Sequence, residues 1–184
     1  TYLYVGKDGI IDIREFKKAL RKDTVLISIM YANNEIGTIQ PIKEIAKLIR
    51  DYKTKNKNPK IYFHTDAIQA AGYLDLNVER LGVDLMSVNA SKIYGPKGIG
   101  FLYMRRGVKL LPVICGGDQE RGIRPGTENI PSIVGLSKAF EIAQKMREKE
   151  SKRVACLRDY LIKNILKIIP DSSLNGSHNL RLPN

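Results

Sequence analysis

The sequence predicts an α/β layer fold built on a mainly parallel sheet with flanking helices. Two observations carry this reading. Short apolar runs rich in β-branched residues alternate with amphipathic runs at helical spacing. Polar clusters follow the ends of several strand-like runs, where open α/β sheets bind their ligands.

Each element has its own signal. Asp12-Ile13-Arg14-Glu15 has capping-box spacing and opens a short helix toward Leu20. Residues 24–31 are apolar and of buried-strand length. Pro41 suits a first helical turn, and Ile42, Ile45, Ala46 and Ile49 then share one face. Residues 53–59 read as a surface loop. Residues 60–65, 84–88 and 99–104 read as strands, 78–81 as a short helical turn, and 110–114 as one further strand. From Pro131 two apolar stripes follow, Ile133-Leu136-Phe140-Ala143 and Val154-Leu157-Leu161-Ile165. They describe one long helix that ends near Ile169, before Pro170. Residues 173–184 are rich in turn formers and read as the start of a second domain. The expected division is 1–143 for part of a large domain, and 144–184 for a bridging helix and the opening of a small one.

Composition narrows the function classes. With 184 residues, 43% hydrophobic and 27% charged, the chain is an ordinary globular sequence. No apolar run approaches the roughly 20 residues of a membrane span, so no membrane partner is expected. The formal net charge of +12 raises the question of an acidic partner. Lys and Arg are nevertheless spread along the chain, densest at 53–57 and 145–153. No aromatic residues interleave there as a base-stacking platform requires, which reads as a solvated surface without nucleic acid. Cys115 and Cys156 have neither metal-ligand nor disulfide spacing. A reducing, cytoplasmic compartment follows, with no metal site and with each cysteine as a small buried hydrophobe.

Four segments carry chemistry. In residues 87–98 a strand runs through Asn89 and Ser91 to Lys92 and a Gly/Pro-rich turn. Small polar side chains at a strand end can bind an anion, and a lysine there can form a Schiff base. In residues 64–72, Asp66 closes a strand, two residues after His64 on the same face. A buried carboxylate needs a cationic or hydrogen-bonding partner, and a protonated pyridine nitrogen would be one. Residues 31–37 place the amides of Asn33 and Asn34 at the same sheet edge. Residues 116–129 form a Gly-rich loop with Arg121, Arg124 and Thr127. Taken singly, these read as a surface lysine, an N-cap aspartate, a polar turn and a surface loop. Four in one chain point to a site.

In this order, Asn33-Asn34-Glu35-Ile36-Gly37, Asp66-x-x-Gln69, Lys92-Ile93-Tyr94-Gly95-Pro96-Lys97-Gly98 and Arg124-x-Gly126-Thr127-Glu128-Asn129 resemble the cysteine desulfurases. These belong to the class-V aminotransferases of the fold-type-I pyridoxal 5'-phosphate (PLP) architecture. The resemblance implies the large domain of such an enzyme plus the start of a small α+β C-terminal domain. It implies L-cysteine as substrate, and alanine plus an enzyme persulfide as products. It also implies a homodimer and an iron–sulfur scaffold or tRNA-thiolation protein as sulfur acceptor. Lys92 matches the lysine that holds the cofactor and moves protons at the substrate carbons. Asp66 matches the partner of the pyridine nitrogen, and Gln69 and Asn34 the amides near the phenolic oxygen. Ser91 and Asn89 fall at phosphate-binding positions, and Thr127 matches a threonine serving the neighbouring subunit's phosphate. Ser91 stands where the family usually has His, Asn89 where it has Ser, and Pro125 where Ser is common. The family's nucleophilic cysteine matches neither Cys115 nor Cys156 and is expected downstream of Asn184, so these residues alone should not turn over. A selenocysteine lyase or another class-V enzyme, and a non-enzymatic basic binding module, are the competing readings.

Overall fold

The computed structural model describes residues 1–57 and 60–184. Asp12 caps the first helix, α1 (Ile13–Ala19), by accepting the Arg14 N–H at 2.7 Å, while Glu15 turns to Lys18. Strand β1 (Leu26–Met30) follows, then helix α2 (Ile42–Asn56), strand β2 (Tyr62–Asp66), the single turn α3 (Val78–Leu81) and strand β3 (Leu85–Asn89). Strand β4 (Gly100–Met104) returns beside β3, and α4 (Ile130–Ile168) closes the order. The sheet runs β1-β2-β3-β4. Its first three strands are parallel, as βαβ crossovers require, and β4 is antiparallel.

The strand period of two sorts the side chains. Ile27, Ile29, Phe63, Thr65, Met86 and Val88 face one way and are buried. The apolar stripe of α2 (Ile42, Ile45, Ala46 and Ile49) joins them in a single core. Each large aliphatic or aromatic side chain so buried contributes about 1.5–3 kcal/mol. The other face carries Ser28, His64, Asp66 and Ser87, exposed or half-buried. Helix α4 spans 39 residues, roughly 58 Å at 1.5 Å per residue. Its first stripe packs on the core, with Phe140 edge-on to Phe101 of β4 at 5.7 Å between centroids. Its second stripe is largely open, with Leu157 and Leu161 each 59% exposed.

The chain's last residues return to the body. Ile39 N–H donates to Leu180 O and Leu182 N–H to Gly37 O, each at 2.8 Å, and Leu182 is buried in the core.

Three expectations need correction. Residues 110–114 form no strand: Pro112 lacks an N–H, no neighbouring strand offers pairing, and Leu111 and Val113 are at least 90% exposed. The expected loop at 53–59 begins as helix, since α2 runs through Asn56 and ends on Lys57 in a left-handed cap. Asn58 and Pro59 lie outside the described residues. Both cysteines are exposed, Cys115 because its segment is unpaired and Cys156 because it lies on the outer surface of α4. Among the described residues no helix is long and apolar enough to cross a membrane.

Candidate active site

The carboxyl ends of β1, β2 and β3 lie side by side, with Met30 opposite Asp66 and Asp66 opposite Ser87. Each strand releases its chain into a turn that carries candidate site residues. After β1, Asn33 Oδ1 accepts the N–H groups of Glu35 and Ile36, both at 2.9 Å. This Asx turn uses Asn33 to shape the backbone. Asn34 is left exposed, with no side-chain partner among the described residues.

Asp66 is the last residue of β2. Its Oδ1 accepts the Ile68 N–H at 2.9 Å, which fixes the carboxylate and leaves Oδ2 without a partner among the described residues. Gln69, one turn on, is half-buried, and its amide has no partner among the described residues. The segment continues past Gly72, where an added Cβ would sit 3.9 Å from Ile93 Cγ2 and 4.0 Å from Lys92 O. The turn after β2 therefore runs beside the lysine.

After β3, Asn89 caps a single 3-10 turn, Ala90–Lys92. Its Oδ1 accepts both the Ser91 N–H at 2.8 Å and the Ser91 Oγ–H at 2.7 Å. The hydroxyl proton of Ser91 is thus committed, and the Asn89 amide N–H₂ is the donor left for an anion. Lys92 is exposed and pairs with no carboxylate among the described residues. Two residues on, Tyr94 lies at φ 62°, a left-handed conformation that is uncommon for a bulky residue. The turn holds it there: Ile93 and Gly95 N–H both bond to Ala90 O, at 3.0 and 2.9 Å.

Helix α4 braces both loops. Pro96 packs on Gly135, where a Cβ would lie 2.6 Å from Pro96 Cγ. A Cβ on Gly95 would meet Ala139 Cβ and Ala90 Cβ at 3.0 Å. Further along, Gln144 Nε2 donates to Ala71 O at 2.8 Å, and Ser151 Oγ to Tyr73 O at 3.2 Å. Arg147 reaches Asp75, which also holds Arg80 through two bonds of 2.7 Å. The Arg80 guanidinium, aided by the Asn77 N–H and by Arg147, holds the Asp75 carboxyl down at about 2.

Six of the seven expected residues, Asn34, Asp66, Gln69, Asn89, Ser91 and Lys92, therefore lie at one end of the sheet. Thr127 sits in the exposed loop 116–129, which no hydrogen bond among the described residues joins to the other six. Glu120 and Arg121 in that loop have left-handed φ of 48° and 60°. A concavity of roughly 550 Å³ lies elsewhere, between the N-terminal segment, α1 and the free edge of β1. It includes Ser28 and Asn33 but neither Asp66 nor Lys92. We place the chemistry at the strand ends, because the convergent polar groups are there.

The sequence reading did not single out Ser28 and Ser87. Their hydroxyls bond the two ring nitrogens of His64, Nδ1 at 2.8 Å and Nε2 at 2.9 Å. The available signal was a serine inside each flanking apolar run, on the outward face of its strand.

A mainly parallel sheet with a carboxylate at one strand end and, beyond the next, a lysine that pairs with no carboxylate among the described residues is the arrangement of the ligand-binding domain of an α/β enzyme. The aminotransferase class-V family model matches residues 1–183, and the chain belongs to that family. It is 53% identical over 184 residues to the cysteine desulfurase IscS of Dictyoglomus turgidum, covering 100% of this chain and 45% of that relative. Among solved structures it resembles a NifS-like protein with a TM-score of 0.92 at 38% identity, covering 100% of this chain and 48% of the other. It also resembles SspA in complex with cysteine, with a TM-score of 0.70 at 43% identity over 77% of this chain and 39% of that one. The chain spans less than half the length of the curated relatives it matches. The family is one of PLP enzymes.

Proposed function

We propose that the chain is the cofactor-binding portion of a cysteine desulfurase that converts L-cysteine to L-alanine and passes the sulfur to a protein thiol as a persulfide. The observation that carries this reading is the Lys92 ammonium, paired with no carboxylate among the described residues, one strand away from the Asp66 carboxylate, which is bonded through one oxygen only among those residues. The relatives named cysteine desulfurase and the neighbour solved with cysteine support the choice of substrate.

The residues present fit PLP. Asp66 has one oxygen open for a protonated ring nitrogen. Asn34 and Gln69 have amides to donate to the phenolic oxygen. The Asn89 amide donates to the phosphate, and Ser91 joins it once its hydroxyl turns away from Asn89 Oδ1. When bound, PLP supplies an aldehyde that reacts with amines and a ring that accepts electron density from the substrate's α-carbon. Lys92 would hold the cofactor and, with its amine free, would take the α-proton of L-cysteine as general base. The negative charge of Asp66 keeps the ring nitrogen protonated. A thiolate attacks the substrate sulfur, the carbon–sulfur bond breaks with its electron pair left on the carbon side, and protons returned to the β-carbon and then to the α-carbon complete alanine.

Thr127 serves the phosphate site of a neighbouring copy, so the working unit is a homodimer. An iron–sulfur scaffold or tRNA-thiolation protein takes the sulfur, and the two free cysteines fit a reducing, cytoplasmic setting. Residues 1–143 belong to the large domain. Residues 144–184 hold the bridging helix, whose open second stripe offers a surface for a second domain, and a C-terminal segment that docks back on the large domain.

The test uses protein expressed from the full natural reading frame. With L-cysteine and a reductant, it should form alanine and sulfide in equal amounts, and Lys92→Ala should abolish both. Alanine formation that survives Lys92→Ala would remove this reading.

A further inference from the structure

His64 sits in the middle of β2, and its imidazole spans three strands. Nδ1 lies 2.8 Å from Ser28 Oγ on β1, and Nε2 lies 2.9 Å from Ser87 Oγ on β3. Ser28 is directly opposite His64, whereas Ser87 is directly opposite Asp66. The bar Ser28–His64–Ser87 thus crosses the sheet diagonally and ends beside the carboxylate of Asp66. All three residues lie on the outward face that also carries Asp66 and Asn89. A neutral imidazole has one donor and one acceptor, and a serine hydroxyl can be either, so both bonds are satisfied in one neutral arrangement. Burial favours that neutral form, while Asp66, the charged neighbour, opposes it.

We propose that His64 is a positioning residue for the cofactor site. Through Ser28 and Ser87 it ties the middles of β1, β2 and β3 together, two residues before their carboxyl ends, and so holds those ends at the spacing that lets Asn34, Asp66 and Lys92 meet one ligand. The inference rests on the PLP reading above. Backbone pairing alone leaves the outward face free to twist, since neighbouring strands rotate by about 10–35°. A three-strand side-chain bar restricts that rotation close to the site, so its loss acts on ligand binding.

The experiment is an equilibrium titration of the apo form of the full-reading-frame protein with PLP, alongside its melting temperature. His64→Phe keeps a planar ring and removes both bonds. It should weaken PLP binding about tenfold, the scale on which groups orienting a binding residue act. His64→Gln retains a donor and an acceptor and should recover most of the loss, which a packing role would not predict. Ser28→Ala and Ser87→Ala should each weaken binding, with little added effect on top of His64→Phe. PLP affinity equal to wild type in His64→Phe, or no recovery in His64→Gln, would overturn the proposal. If His64→Phe does not fold, the serine variants decide, and unchanged affinity in both overturns it. A wild type that takes up no PLP would remove the site reading and this inference together. A wild type that binds beside an unaltered His64→Phe would sink only the inference.

Discussion

At the scale of single residues, the site is a set of side chains differing in how much bonding capacity the fold has left them. The Asn33 side-chain oxygen is taken by its own turn and the Ser91 hydroxyl by Asn89, whereas Asn34, Gln69 and Lys92 have no side-chain partner among the described residues. Sequence pattern could place all of these near strand ends, because strand runs and turn formers are local signals. It could not rank them, because which hydrogens are already committed depends on geometry. For the same reason His64 could be assigned a face but not its two serine partners. Asp75 offers a test at this scale. Its carboxyl is held at about 2 by Arg80, below its ordinary value of 3.8. A depressed carboxylate stabilises the fold above its unfolded pKa and loses that contribution as pH falls through the folded one. The wild type should therefore lose its stability advantage over Asp75→Asn between about pH 4 and about pH 2, as read from thermal melts across that range. An advantage that persists unchanged below pH 2 would contradict the assignment.

At the scale of elements, α4 is the part on which the site loops lean. The sequence shows its length and stripes, and the observed helix Ile130–Ile168 matches the expected 131–169 closely. What the sequence hides is that Gly135 is an approach point for Pro96. A glycine within a helical pattern costs about 1 kcal/mol relative to alanine unless something requires it. Here a Cβ would lie 2.6 Å from Pro96 Cγ. Gly135→Ala sets a helix gain of about 1 kcal/mol against an overlap costing about 1–3 kcal/mol. The overlap should win, so urea unfolding should show a less stable protein and PLP titration a weaker site. A more stable variant with unchanged PLP affinity would mean that the loop is not braced there. The element that failed to appear, at 110–114, shows the converse: its apolar run had strand composition but no partner to pair with.

At the scale of the molecule, segments far apart in sequence meet at Thr38. Its hydroxyl donates to Asp8 O at 2.7 Å and accepts the Ser177 N–H at 3.1 Å, and the residue is fully buried. Gln40 adds bonds to Gly9 O and the Ile11 N–H. The N-terminal segment, the turn carrying Asn34 and the C-terminal residues are thereby one unit. None of this was legible beforehand, because 173–184 offered only turn formers and no period that would dock it. Thr38→Val keeps the shape and leaves the buried Ser177 N–H without its partner, a loss of about 1–3 kcal/mol, and removes the bond to the Asp8 carbonyl as well. Denaturant unfolding should show that loss, and a change below about 0.5 kcal/mol would mean that the three segments are held elsewhere.

The central claim is that Lys92 is the residue to which the cofactor is bound. Protein from the full natural reading frame would be reduced with borohydride, digested and mapped by mass spectrometry. The account predicts a pyridoxyl group on the peptide carrying Lys92 and on no other lysine. An unmodified Lys92, whether another lysine carries the label or none does, would contradict it.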